Sequence, residues 1–142
     1  MRRSTSYLPR ANRSNARSQR PALLSRALRL AQAGNRRAAI DLLRELSKQT
    51  PTDALVWFHL GALLDAGGKM RQAIPCYLRA LRLNPRHPQH YEMCLYLCSS
   101  YRKTGRPLAA RRWLKKAETF GHDTALQRRL QRLLNRRQRL QD

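Results

Sequence analysis

The chain has 142 residues, with 30 Lys or Arg against 8 Asp or Glu and a formal charge of +22. Apolar residues make up 42%, enough for one modest core, which leaves little room for a nucleotide-binding domain beside a substrate domain. The eight carboxylates form no obvious acid–base pair, and G-x-S-x-G, phosphate-loop and H-E-x-x-H motifs are missing, so neither a catalytic residue nor a cofactor is expected.

Residues 1–19 are read as a disordered basic arm. Residues 1–20 hold six Arg and no acid, with Ser4, Ser6, Ser14, Ser18, Asn12, Asn15 and Pro9 among them. Such a segment buries too little surface to offset its chain entropy. The same composition fits an organellar transit peptide, although Pro9 and the few apolar residues weaken the amphipathic helix that such peptides need. Otherwise the expected location is cytoplasmic. The three cysteines are an odd count that suits a reducing compartment. No apolar run approaches the roughly 18 residues of a membrane span; the longest, residues 54–64, is broken by His59.

From Arg20 onward the chain repeats. Helix pairs are expected around three breaks, Gly34-Asn35, Gly67-Gly68 and Thr104-Gly105, each followed by basic residues and an Ala-rich helix. Ala39 and Ala73 are 34 residues apart, and Ala73 and Ala110 are 37 apart. The middle unit is the clearest: Trp57-x-x-Leu60-Gly61-x-x-Leu64, then Ala73-x-x-x-Tyr77-x-x-Ala80, then Pro85. Asp53 is placed to cap the helix that begins near Ala54. Pro75 falls early in the unit's second helix and should bend or shorten its first turn.

This unit resembles a tetratricopeptide repeat, departing only by Leu64 in place of Tyr and Tyr77 in place of Phe. The first unit is a weaker match, with Leu23, Arg26, Ala27, Leu30, Ala39, Leu43, Leu46 and Pro51 in the corresponding slots. The third has Cys94, Leu97, Cys98, Tyr101, Ala110, Leu114 and Ala117, with His122 where Pro is usual. The resemblance covers residues 20–124, in units of about 20–53, 54–87 and 91–124. It implies an all-α fold, a right-handed α-solenoid of three helix pairs. Small residues at Ala27, Gly61 and Cys98 should mark the close approaches within pairs. One pair cannot bury its apolar face, so the units must stack.

Residues 125–142 follow as an amphipathic capping helix. Its apolar stripe is Leu126, Leu130, Leu133, Leu134 and Leu140, and Arg128, Arg129, Arg132, Arg136, Arg137 and Arg139 lie mostly away from it.

The resemblance also implies a concave groove, lined by the first helix of each pair, that receives a peptide or helix. The positions matching that lining are Leu24, Leu28, Leu55, Phe58, His59, Ala62, Asp65, Leu95, Tyr96, Ser99, Arg102 and Lys103. The set has an apolar and aromatic centre with a basic edge, which suits a protein partner with apolar anchors and an acidic flank. One family subgroup grips a terminal carboxylate with Lys, Asn, Asn, Lys and Arg. Here those slots hold Leu24, Leu28, His59, Glu92 and Tyr96, so that clamp is absent.

The expected function is a non-catalytic scaffold or adaptor. The alternative is a basic RNA- or ribosome-associated protein that uses the arm and the six arginines of the last helix, since Lys and Arg neutralise phosphates. The same charge also suits an acidic protein or an anionic membrane surface. His90, Cys94 and Cys98 share a helix face at i, i+4, i+8, a spacing open to zinc. They also fall on core slots where Cys acts as a small hydrophobe, and no metal site is expected. Oligomeric state is left open.

Overall fold

A computed structural model of the chain describes residues 13–141. Seven helices are present and, among the described residues, no strand: α1 Arg13–Gln32, α2 Arg36–Gln49, α3 Ala54–Ala66, α4 Met70–Leu83, α5 His90–Lys103, α6 Pro107–Glu118 and α7 Ala125–Gln141. The three expected breaks are hairpin turns. At the middle one, Gly68 takes a φ of +79°, a region that only glycine enters without a Cβ penalty. Lys69 N–H then reaches back to the Leu64 carbonyl at 2.8 Å and closes the end of α3. Arg106 N–H to Tyr101 O and Asn35 N–H to Leu30 O, both 2.8 Å, repeat that bond in the other two turns.

Helix starts follow local chemistry. Asp53 caps α3 as expected, its Oδ1 accepting Leu55 N–H at 3.1 Å, and its other carboxylate oxygen meets Arg20 from α1. One carboxylate therefore caps one helix and ties it to another. Asn35 caps α2 through Ala38 N–H. Pro75 does not shorten α4, which runs unbroken from Met70; the ring is exposed, and the missing N–H costs only the bond to the Arg71 carbonyl.

Packing follows the chain. α1 lies on α2, α3 on α4 and α5 on α6; α2 meets α3, α4 meets α5, and α7 rests on α5 and α6. Each unit touches its sequence neighbours, which is the pattern of an α-solenoid. The closest approach within a pair is set by Gly61: a Cβ there would stand 3.0 Å from the Tyr77 ring and 3.2 Å from Cys76 Cβ. Ala27, Ala39, Ala73, Cys98 and Ala110 are wholly buried at the equivalent contacts. Trp57 is partly buried against the core. Its Nε1 donates to Pro51 O at 2.9 Å, and the Arg79 guanidinium sits 4.8 Å over its ring.

The basic arm is shorter than expected. Residues 13–19 belong to α1; residues 1–12, where the rest of that arm and of the transit-peptide reading fall, lie outside the described residues. The reason is cooperativity. Once Leu24, Ala27 and Leu28 pack, each further residue adds a helical hydrogen bond at little extra cost, whatever its own burial. No helix of the described residues is long and apolar enough to cross a membrane.

Replacing Gly61 with Val should lower unfolding free energy by about 1–3 kcal/mol through overpacking against Tyr77, measured by denaturant titration. Asp53→Ala should cost about 1 kcal/mol from the lost cap, visible as a lower midpoint in the same assay.

Candidate functional site: an aromatic groove

The groove is built around Tyr77. Because Gly61 has no side chain, the Tyr77 ring slides beneath α3, 1% exposed, and its hydroxyl donates to Asp65 Oδ2 at 3.2 Å. Around this buried ring the structure assembles a continuous set of side-chain rings. Phe58 lies 6.4 Å from Tyr77, 5.1 Å from His59 and 5.4 Å from His87, and Tyr96 of α5 lies 5.8 Å from Tyr77. Three consecutive elements thus contribute to one floor: α3, α4 and α5, with His87 supplied by the α4–α5 connection. His87 is held in place as its Nδ1 accepts Gln89 N–H at 3.1 Å.

Partial burial shifts the titrating groups of the floor. Burial, and then the nearby His87, lowers the His59 pKa below that of a free imidazole. His87 is lowered by burial and by His90, with Glu92 opposing. Burial raises the Asp65 carboxyl, partly offset by the Tyr77 hydrogen bond and by Lys103. Tyr96 is raised by burial and by the charges of Glu92 and Asp65. In each case burial is the largest cause, and it disfavours the charged form.

Of the expected lining, Phe58, His59 and Tyr96 meet in this ring cluster and Asp65 joins it through Tyr77. Leu28, Leu55, Phe58 and Tyr96 are partly buried against the first core cluster. His59, Ala62, Asp65, Ser99 and Arg102 are half-buried, and Lys103 is exposed. Two residues are not lining. Leu24 (6% exposed) belongs to the core beneath α1, and Leu95 (2% exposed) is taken into the second core cluster with Leu130 and Leu134 of α7. A capping helix laid on α5 uses up a face that a further repeat would have left open. Two floor residues escaped the sequence reading. Tyr77 stands on the second helix of its pair, outside the first-helix lining, and His87 lies beyond a helix end, where periodicity carries no signal.

Cys94 and Cys98 are fully buried in that second cluster, where burial pushes each thiol up to about 11. His90 directs its Nδ1 to Pro85 O at 2.7 Å. The i, i+4, i+8 set is therefore core packing and a loop anchor, and no metal-ligating group of three converges among the described residues. On α7, Arg128, Arg129, Arg132, Arg136 and Arg139 are exposed; the side chain of Arg137 lies outside the described residues.

Two imidazoles whose pKa values are lowered by folding bind fewer protons than in the unfolded chain. Their contribution to stability is complete above the unfolded value near 6.5 and is lost as pH falls below it and through the lower folded values. Melting temperature should therefore drop as pH falls below about 6.5, and His59→Gln with His87→Gln should flatten the profile there.

Comparison with known proteins agrees with this architecture. Two family models described as tetratricopeptide repeat match the chain, one over residues 54–87 and one over residues 20–63. A probable biofilm formation methyltransferase, WspC of Pseudomonas putida, is 33% identical over 102 residues; the match covers 72% of this chain and 23% of that protein, so the chain spans less than a quarter of this relative. Among solved structures, the type III secretion chaperone SycD of Yersinia enterocolitica, in complex with a peptide of the translocator YopD, superposes with a TM-score of 0.73. The identity is 18%, over 88% of this chain and 96% of that one. A point mutant of MamA gives a TM-score of 0.63 at 26% identity, over 72% and 73% of the two chains. With the motif spacing, the nested helix pairs and these matches in agreement, residues 20–87 are tetratricopeptide repeats, and the described chain has the fold of a stack of such repeats.

Proposed function

We propose that this chain is a non-catalytic scaffold that docks a partner peptide or helix in its concave groove, through apolar anchors seated on Phe58, Tyr96 and their neighbours. The observation that carries this reading is the ring floor. Phe58, His59, Tyr77, His87 and Tyr96 form one connected aromatic surface, of which Phe58, His59 and Tyr96 stay partly exposed. Aromatic side chains on a rigid framework supply large contact area at small entropy cost, which is the usual chemistry of binding hot spots.

The floor has a basic end at Arg102 and Lys103, which close α5, whereas the acids beside the rings are Glu92 at the start of α5 and Asp65, already engaged by Tyr77. An acidic flank on the partner would meet these two cations, while its apolar residues meet Phe58 and Tyr96. The likeness to SycD, whose structure holds a translocator peptide, supports a peptide as one form of ligand. The match to WspC, limited to a small part of that protein, is not extended to its methyltransferase activity.

Panning a displayed random-peptide library on the chain should return sequences with spaced apolar residues and an acidic end. Calorimetry with a recovered peptide should show at least about tenfold weaker binding to a Phe58→Ala, Tyr96→Ala double variant, since an anchor contact is worth about 1 kcal/mol or more. Equal affinity for the double variant would remove the groove as the site. Arg102→Gln with Lys103→Gln should weaken only the acid-flanked peptides, and more strongly at low salt.

A further inference from the structure

The second surface with an unmet chemistry is the outer face of α7. Most of its inner face is used: Leu130 and Leu134 are buried in the second core cluster, Leu126 packs against it, Gln127 is buried and Leu133 is half-buried, while Leu140 near the end of the helix is 86% exposed. Arg111 of α6 fastens the helix from below, donating to the Leu134 carbonyl at 2.9 Å and to Gln138 Oε1 at 3.1 Å. Tyr91 fastens its start, its hydroxyl donating to Gln127 Oε1 and sharing a hydrogen bond with Thr124 Oγ1, both at 2.8 Å. The rotation of α7 is therefore fixed, and that rotation turns Arg128, Arg129, Arg132, Arg136 and Arg139 outward together.

These five side chains make one stripe. At 1.5 Å per residue, Arg128, Arg132 and Arg136 recur about every 6 Å, and Arg128 to Arg139 spans about 16 Å. Only Arg128 has a carboxylate partner, Asp123 at 3.4 Å; the other four have none among the described residues. The exposed face of α6 adds Arg112, Lys115 and Lys116. Of the acids nearby, Asp123 is taken by Arg128, and Glu118 accepts from Gln131 Nε2 at 2.8 Å.

Left alone, such an arrangement costs stability. Arginines three or four residues apart repel one another within a Debye length. The first turn of α7 has no acidic residue to meet the positive end of the helix dipole. A ligand that brings a row of negative charges relieves the repulsion along the stripe. From these observations, we propose that the outer face of α7 binds the phosphodiester backbone of a nucleic acid strand without regard to sequence.

Three features favour a phosphate chain over other anions. Guanidinium forks match phosphate oxygens in paired hydrogen bonds, and every cation of the α7 stripe is an Arg. A membrane surface would need an apolar helix face to insert, and Leu126, Leu130 and Leu134 are committed to the protein core, which leaves Leu140 as the one exposed leucine of α7 among the described side chains. An acidic protein partner would need apolar pockets between the charges, and the exposed residues that stand between these arginines are the polar Asn135 and Gln138. No aromatic side chain lies on α7 to stack on a base, so affinity should be electrostatic and strongly salt-dependent.

The test is a fluorescence titration of the full chain with a labelled single-stranded RNA of mixed sequence and with the same sequence as DNA, between about 50 and 200 mM salt. A variant carrying Arg129→Gln, Arg132→Gln, Arg136→Gln and Arg139→Gln should bind both strands roughly 100-fold more weakly, with a log–log salt slope reduced by about 3. A charge-matched variant with Arg26→Gln, Arg29→Gln, Arg37→Gln and Arg71→Gln, all exposed on the first two helix pairs, should lose less than about tenfold. Equal losses from the two variants would overturn the proposal, because diffuse charge would then explain all binding. Tighter, α7-dependent binding to phosphatidylserine vesicles or to polyglutamate than to RNA would also overturn it. Two further readouts do not rely on the glutamine variants folding. RNA should raise the melting temperature of the wild-type chain, and an Arg→Lys version of the four positions should keep most of the salt slope; failure of both counts against the site. The groove variant Phe58→Ala, Tyr96→Ala should bind RNA as the wild type does, which separates this surface from the groove.

Discussion

The contact between Gly61 and Tyr77 holds the middle of the molecule together and makes the groove at the same time. A backbone with no Cβ lets a phenol ring lie 3.0 Å from where that atom would be, so α3 and α4 approach closely. The ring that fills the space is also the one on which the groove's floor is laid, with Phe58 and Tyr96 both packed near it. Core packing and binding surface are thus two faces of one side chain. This explains why the floor is rigid: Tyr77 is buried, bonded to Asp65, and cannot turn away without emptying the core.

The packing of α7 on the last helix pair differs from that of the pairs on one another. Beside it lies an aromatic knot in which Tyr91 is 4.5 Å from His122 and 5.9 Å from Phe120, while His90 is 5.2 Å from Phe120. The Tyr91 hydroxyl bridges this knot to the first turn of α7. Hydrogen bonds and rings here add to the small-residue nesting of Cys98, Ala110 and Ala117 in the same cluster. Cys94 and Cys98 complete the same cluster as compact apolar groups. α7 consequently covers α5 and α6 with Leu130 and Leu134 and leaves a largely arginine face outside.

The large positive charge is tolerable because it is kept at the surface and spread along the stack. Several of the few carboxylates are placed where they act structurally: Asp53 at a helix cap, Asp65 under the groove, Glu118 and Asp123 near the cap helix. What they do not neutralise is available to a partner. The groove and the α7 face point to different chemistry, aromatic and apolar in one place, cationic and unpaired in the other.

Much of this was legible from residue order. The small residues at Ala27, Gly61, Cys98, Ala39, Ala73 and Ala110, the glycines at the turns and the cap at Asp53 all report local geometry, and local geometry is written in neighbouring residues. The repeat resemblance also put Phe58, His59 and Tyr96 in one set, and in the folded chain their rings belong to one connected cluster. Four facts needed the folded chain. Leu24 and Leu95 became core, because burial depends on what an adjacent helix covers; Tyr77 and His87 joined the floor, because they arrive from another helix and from a connection. Periodicity fixes the face on which a side chain lies, but only the docking of separate elements decides what stands in front of it.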